Sequence, residues 1–214
     1  VIHEIEQLLE KSACDLACLQ EVWQKQGVEE HQLDRHCRSA WHHHVFGRNA
    51  IFPNGSQGNA TLSRFDLFQW ELYDLSVGNF EKRGLLYGRI RWKKPVSVLN
   101  VHLGLFERER EKQVARIIDL VKTKVPPEEP LLLLGDFNDW REKLHDVFWK
   151  KLGLREVSRV SRGHSSKSFP SYFPLFSLDR IYARGLELLD FEVLKSSEWP
   201  ISSDHLPVKA SFKL

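Results

Sequence analysis

Apolar positions recur at two periods along this 214-residue chain, and the changes of period outline its elements. Ile2, Ile5, Leu8 and Leu9 share one helical face, after which Asp15 opens LACL (16–19), an apolar segment suited to a buried strand. A second helix is expected between Glu29 and Trp41, and GNATLSRFDLFQWELYDLSV (58–77) reads as strands broken by turns. GLLYGRIRW (84–92) and VSVLNVHL (96–103), separated by Lys93, Lys94 and Pro95, predict a hairpin. Val114, Ile117, Ile118 and Val121 return to helical spacing, with the charged run EREREK (107–112) expected on the solvated face. VPPEEP (125–130) then connects a helix to LLLLG (131–135), a third apolar strand. REKLHDVFWKKLG (141–153) predicts a helix closed by Gly153, and the last strands are SLDRIYA (177–183), LELLDFEVL (186–194) and LPVKASFKL (206–214). Early strand–helix alternation followed by hairpins predicts a mixed α/β sheet arrangement covered by helices. No linker, repeat or low-complexity tract interrupts it, so residues 1–214 are expected to form one domain.

Composition narrows the function classes without choosing one. At 42% hydrophobic and 28% charged the chain reads as soluble and globular. No apolar run approaches the roughly 18 residues of a membrane span, and VIHEIEQLLEK looks like an amphipathic helix rather than a signal peptide. A net charge of +2 admits nucleic acid or anionic lipid and requires neither. Cys14, Cys18 and Cys37 are odd in number and at no metal-binding spacing; buried, reduced thiols are expected, which favours the cytoplasm. The sequence holds no methionine and opens on Val1, so N-terminal residues are expected to be missing.

The candidate chemistry lies where apolar strands end. LACLQ is followed by Glu21, VLNV by His102, LLLLG by Asp136 and Asn138, SL by Asp179, and Ser202 with Ser203 by Asp204 and His205. Each alone is ordinary turn chemistry, but together they can converge at one edge of a sheet, where α/β folds place ligands. Glu21 offers the hard oxygen that Mg²⁺ takes, usually with only one or two carboxylates and several waters. His42, His43 and His44 lack zinc-site spacing and read as surface or packing residues. Asp136 and Asn138, two apart, would point the same way on an extended backbone and share a water or a phosphate oxygen, with Asp139 facing away. Asp179 and His205 supply the pair in which a carboxylate fixes an imidazole's tautomer and raises its basicity.

The ordered set LQEV (19–22), NVHL (100–103), GDFN (135–138), LDRIY (178–182) and SSDHLPV (202–208) resembles the endonuclease/exonuclease/phosphatase superfamily over nearly the whole chain. GRNAIFPNGSQGNATLSR (47–64) looks like a bacterial branch of it. The resemblance implies an α/β (α+β) four-layer sandwich, two central mixed β-sheets flanked by helices, with the site at one edge. It also implies a metal-dependent hydrolase of phosphoester bonds using Mg²⁺, with Mn²⁺ as a substitute. Glu21 would hold the metal, Asp204 would assist the metal or His205, and His102 would contact the scissile phosphate. Asp136 would orient or deprotonate the attacking water, Asn138 would hydrogen-bond the phosphate or nucleophile, Asp179 would orient His205, and His205 would stabilise charge on phosphorus. The family's first strand ends in an Asn that also serves the metal, and this strand would precede residue 1. Substrate remains open at this level. Arg48, Arg64, Lys82 and Arg83 can form a basic surface for nucleic acid, whereas Phe169, Tyr172, Phe173 and Phe176 can meet a base or a phospholipid or phosphoinositide. A non-catalytic binding scaffold is the reading from another class, and it has no use for Glu21, Asp136, Asn138, Asp179 and His205 together.

Overall fold

The structure, a computed structural model, describes residues 11–27, 33, 41–78, 81–194 and 203–214. The helix expected at 2–9, most of that expected between 29 and 41, Cys37 and Ser202 lie outside these residues. In chain order the elements are β1 (Leu16–Lys25), β2 (His43–Phe52), β3 (Gly55–Ser63), β4 (Asp66–Asp74), β5 (Gly84–Arg91), β6 (Pro95–His102), α1 (Glu107–Lys124), β7 (Leu131–Asp136), α2 (Leu144–Leu152), β8 (Arg155–Glu156), α3 (Val157–Arg162), β9 (Asp179–Arg184), β10 (Glu187–Val193) and β11 (Val208–Lys213). Each expected strand and helix within the described residues is present, with ends displaced by a residue or a few.

A six-stranded sheet ordered β4-β5-β6-β7-β9-β8 forms the centre. The expected hairpin is β5–β6, whereas β6 and β7 are parallel and need the crossover that α1 supplies. One face of this sheet is sealed by α1 and α2, whose Val114, Ile117, Val121 and Phe148 pack on Leu85, Leu99, Leu133 and Tyr182. The opposite face is covered by strands: Leu16 and Cys18 of β1 meet Val96 and Val98, while Phe191 of β10 meets Leu132 and Ile181. Burial on both faces explains why β7 reads LLLL instead of alternating. The α/β sandwich flanked by helices is therefore present. Among the described residues its second strand layer is divided, a three-stranded sheet β1-β3-β2 lying beside a two-stranded sheet β10-β11. Between β1 and β11 runs a groove of about 740 Å³, floored by Ile90, Val96, Leu134 and Ile181.

Two details depart from the pattern along the chain. Arg110, within the charged run expected to be solvated, is buried and donates to the carbonyls of Gly104 and Leu105 at 3.1 and 2.6 Å. It thereby holds the loop that follows β6. Gly135 ends the leucine run because φ is +139° there and a Cβ would lie 1.9 Å from the Val101 carbonyl oxygen, so a side chain would collide with β6. Among the described residues no helix is long and apolar enough to cross a membrane.

Candidate active site

Parallel pairing of β6 with β7 brings their C-terminal ends to one edge, and antiparallel β9 begins there. In consequence His102 registers against Asp136, and Asp136 against Asp179, so three candidates come from adjacent strands at one level. Glu21 reaches the same edge differently. It lies inside β1 rather than after it, at a bulge between Leu19 and Val22, with φ of +56°. A bulge re-aims a side chain, and here it brings Glu21 Oε1 to 3.9 Å from His102 Nδ1. Beneath this point the two sheets are pinned by buried amides. Asn100 Nδ2 donates to Ala60 O at 2.8 Å, Gln20 Nε2 donates to Asn100 Oδ1 at 2.8 Å, and Asn59 Nδ2 donates to the carbonyls of Gly84 and Asn100. Buried amides satisfied in this manner fix relative position better than apolar contact, which tolerates sliding.

Asp136 and Asn138 do come together, by a turn and not by an extended backbone. Asn138 has φ of +47°, its N–H donates to Asp136 Oδ1 at 2.9 Å, and its Nδ2 donates to Leu103 O at 2.9 Å and Asp136 Oδ2 at 3.3 Å. In this arrangement the side-chain amide nitrogen donates to Leu103 O and Asp136 Oδ2. Asp139 faces away as expected and is no idle residue. It accepts from Leu144 N–H and Arg180 Nη1, each at 2.9 Å, forming a buried ion pair.

His205 Nδ1 lies 2.7 Å from Asp179 Oδ2, and Ser168 Oγ donates to the same oxygen at 2.6 Å. Ser168 went unnoticed in the sequence because a serine in a loop carries no signal until the fold sets it against Asp179. Asp204 is exposed beside His205, with no side-chain hydrogen bond to Glu21, and Ser171 N–H donates to its backbone carbonyl at 2.7 Å. Arg83, expected as surface charge, is instead turned inward, its Nη2 3.2 Å from Glu81 Oε2 and its Nη1 3.2 Å from His102 Nδ1. Arg64 pairs with Asp15 at 3.5 Å and lies over the Trp41 ring while staying exposed, as do Arg48 and Lys82 of that basic set.

Electrostatics divide the site into unlike groups. Burial, then the neighbouring Asp179 charge, push the Asp136 carboxyl up to about 7. For His205 burial opposes the proton, but the hydrogen bond and charge of Asp179, with Asp136 and Asp204, outweigh it and raise the ring to about 9. His102 goes the other way, lowered to about 3 by burial and then by the charges of Arg83 and His205. Near neutrality the edge therefore holds a neutral imidazole, a cationic one and a carboxyl poised to exchange a proton.

The donors suit a hard cation bound largely through water. Glu21 is a mostly exposed carboxylate at the junction of the groove mouth, where Asp179, Asp204 and His205 also lie, and the small polar cleft formed with Lys82, Arg83 and His102. Among the described residues no group of three His, Cys, Asp or Glu can cage a metal together. The apolar groove is lined by Glu21, Asp179, Asp204 and His205 as well as by its apolar floor.

Beside His205 the segment 168–178 carries an aromatic cluster. Phe169 stacks on the His205 ring with centroids 4.7 Å apart and meets Trp140 at 5.8 Å, while Tyr172, Phe173, Leu175 and Phe176 are exposed. Phe169 is half-buried there, and Phe176 meets Trp140 at 4.9 Å.

Comparison with known proteins agrees with this geometry. Residues 1–205 match the model of the Endonuclease/Exonuclease/phosphatase family. The chain belongs to this family. It is 35% identical over 226 residues to uncharacterized protein YbhP of Escherichia coli (strain K12), covering 100% of this chain and 89% of that one. An endonuclease/exonuclease/phosphatase from Beutenbergia cavernae shares the fold at a TM-score of 0.79 and 19% identity, over 99% of this chain and 66% of that one. The human Nocturnin catalytic domain with bound sulfate anion does so at 0.78 and 20%, over 99% and 86%. Members of the endonuclease/exonuclease/phosphatase family are generally hydrolases of phosphoester bonds, acting on nucleic acid or other phosphoesters.

Proposed function

We propose that this chain is one domain of a Mg²⁺-dependent phosphoesterase that hydrolyses a phosphodiester or phosphomonoester by in-line attack of water, nuclease-like in its chemistry. The observation that carries the reading is the register of His102, Asp136 and Asp179 on adjacent strands, with His205 held to Asp179 at 2.7 Å. Asp136, held by both N–H groups of Asn138, takes the proton of the attacking water as the new P–O bond forms. His205, kept cationic by Asp179, donates from Nε2 to the phosphoryl oxygen on which charge grows. His102 adds a neutral N–H donor at the same edge. The bond from phosphorus to the leaving oxygen breaks, that oxygen takes a proton from solvent water to leave as an alcohol, and Asp136 returns its proton to solvent. Glu21, assisted by Asp204, would hold Mg²⁺, which when bound supplies Lewis acidity toward a phosphoryl oxygen.

The exposed Tyr172, Phe173 and Phe176 beside His205 favour a second reading, a phospholipid or phosphoinositide phosphodiesterase or phosphatase, since the aromatic side chains can enter a lipid interface as readily as stack on a base. A substrate panel at fixed Mg²⁺ separates the readings: single- and double-stranded DNA, RNA, phospholipid vesicles, phosphoinositides and an aryl phosphodiester. Turnover on nucleic acid should fall steeply with salt because phosphate contacts release counterions. Turnover on vesicles should fall in a Tyr172→Ser, Phe173→Ser double variant. Asp136→Asn should lower kcat on the accepted substrate by more than about 100-fold with an unchanged thermal melt, and EDTA should abolish activity until Mg²⁺ or Mn²⁺ is restored. Full turnover in chelator, or in Asp136→Asn, sinks the proposal.

A further inference from the structure

Arg83 sits where the loop after β4 enters β5, in the second coordination of the site and outside every role assigned above. Its guanidinium is held by Glu81 Oε2 at 3.2 Å, and that same oxygen accepts from Leu105 N–H at 3.3 Å, so a chain of contacts from the loop after β6 fixes it in place. Its Nη1 then stands 3.2 Å from His102 Nδ1. A guanidinium has five N–H donors and no acceptor, so at this contact the ring nitrogen must accept. A neutral imidazole that accepts at Nδ1 carries its proton on Nε2, and His102 Nε2 is the nitrogen that faces Asp136, 3.4 Å from Oδ2.

We propose that Arg83 is a positioning residue that fixes the tautomer of His102, holding the ring's proton on Nε2, toward the reacting edge. The rival tautomer would put a hydrogen on Nδ1 against a guanidinium N–H, donor against donor. Glu21 Oε1, at 3.9 Å from Nδ1, is beyond hydrogen-bond reach while Arg83 is within it. Arg83 Nε is buried with no partner among the described residues, an arrangement that costs stability. Its orientation thus serves Glu81 through Nη2 and His102 through Nη1, at the expense of Nε. The inference rests on the phosphoesterase reading only for its catalytic consequence; the tautomer is a property of the free protein.

The two parts separate experimentally. Long-range ¹H–¹⁵N spectra of the histidine rings, recorded in Mg²⁺ at one pH and assigned through the loss of signals in His102→Asn, report which nitrogen is protonated. The wild-type ring should show the Nε2–H pattern. Arg83→Met should move it toward Nδ1–H, now free to turn to Glu21, and lower kcat on the accepted substrate by on the order of 100-fold with little change in KM. Arg83→Lys, which keeps a donor, should restore the Nε2–H pattern and most of kcat. An Nδ1–H ring in the wild type, or an unchanged ring in a folded Arg83→Met, overturns the assignment. If Arg83→Met does not fold, the wild-type and Arg83→Lys spectra still decide it. A wild type with the expected tautomer and no turnover on any phosphoester would instead count against the function and leave the Arg83 contact standing.

Discussion

At the scale of single residues, strand ends disclosed the acids and imidazoles of the site but not what holds them. Glu21, His102, Asp136, Asn138, Asp179 and His205 all follow or end apolar runs, and the fold brings them to one edge. Arg83 and Ser168 were illegible as site residues because their partners, His102 and Asp179, lie 19 and 11 residues away, and only tertiary pairing tells a guanidinium or a loop hydroxyl whom it meets. How Asn138 meets Asp136 was hidden for a related reason: two-residue spacing implies a shared direction only while the backbone stays extended, and here it turns. The His205–Asp179 pair has a measurable consequence for stability. Since the folded ring is raised to about 9 from 6.5, the folded state binds its proton more tightly. The resulting stabilisation is complete below about pH 6.5 and is lost as pH rises through about 9, a change on the order of 2 kcal/mol. In chelator, the melting temperature should fall across that interval, and Asp179→Asn should flatten the fall; a melting temperature that rises from pH 6.5 to 9 would contradict the pairing.

Between elements, the linkage that matters most is the ion pair of Asp139 and Arg180. Asp139 follows β7 and Arg180 lies one residue into β9, so their contact clamps the two strand ends that carry Asp136 and Asp179. Arg180 also donates to Ser177 O at 2.9 Å and Tyr182 Oη at 3.2 Å, and is 2% exposed. Removing one partner of a buried, hydrogen-bonded pair strands the other charge, which costs about 3–5 kcal/mol. Asp139→Ala should therefore lower the denaturant midpoint far more than Asp136→Asn does, and equal, small effects in the two variants would show that the clamp is dispensable. Strand and helix positions themselves were legible, because buried strands and an amphipathic helix leave strong periodic signals. Arg110 escaped that logic: its place in a charged run pointed outward, while its helix position turned it toward the carbonyls of Gly104 and Leu105.

For the whole molecule, the layered α/β sandwich followed from the order of elements, but the division of the second strand layer did not, since sequence patterns report which residues are buried and not which strands adjoin. The groove between β1 and β11 makes that division a hazard. Among the described residues each of these strands pairs on one side only, β1 with β3 and β11 with β10, and their other edges flank an apolar floor. The edges differ, so β1 of one copy docking on β11 of the next would be a head-to-tail contact, one that propagates instead of closing. A preparation of these 214 residues should accordingly grow linear assemblies with concentration, seen as a rising scattering mass and thioflavin binding, whereas a monodisperse monomer at high concentration would show the edges to be guarded. The cleft beside the candidate site would then double as a seed for polymerisation.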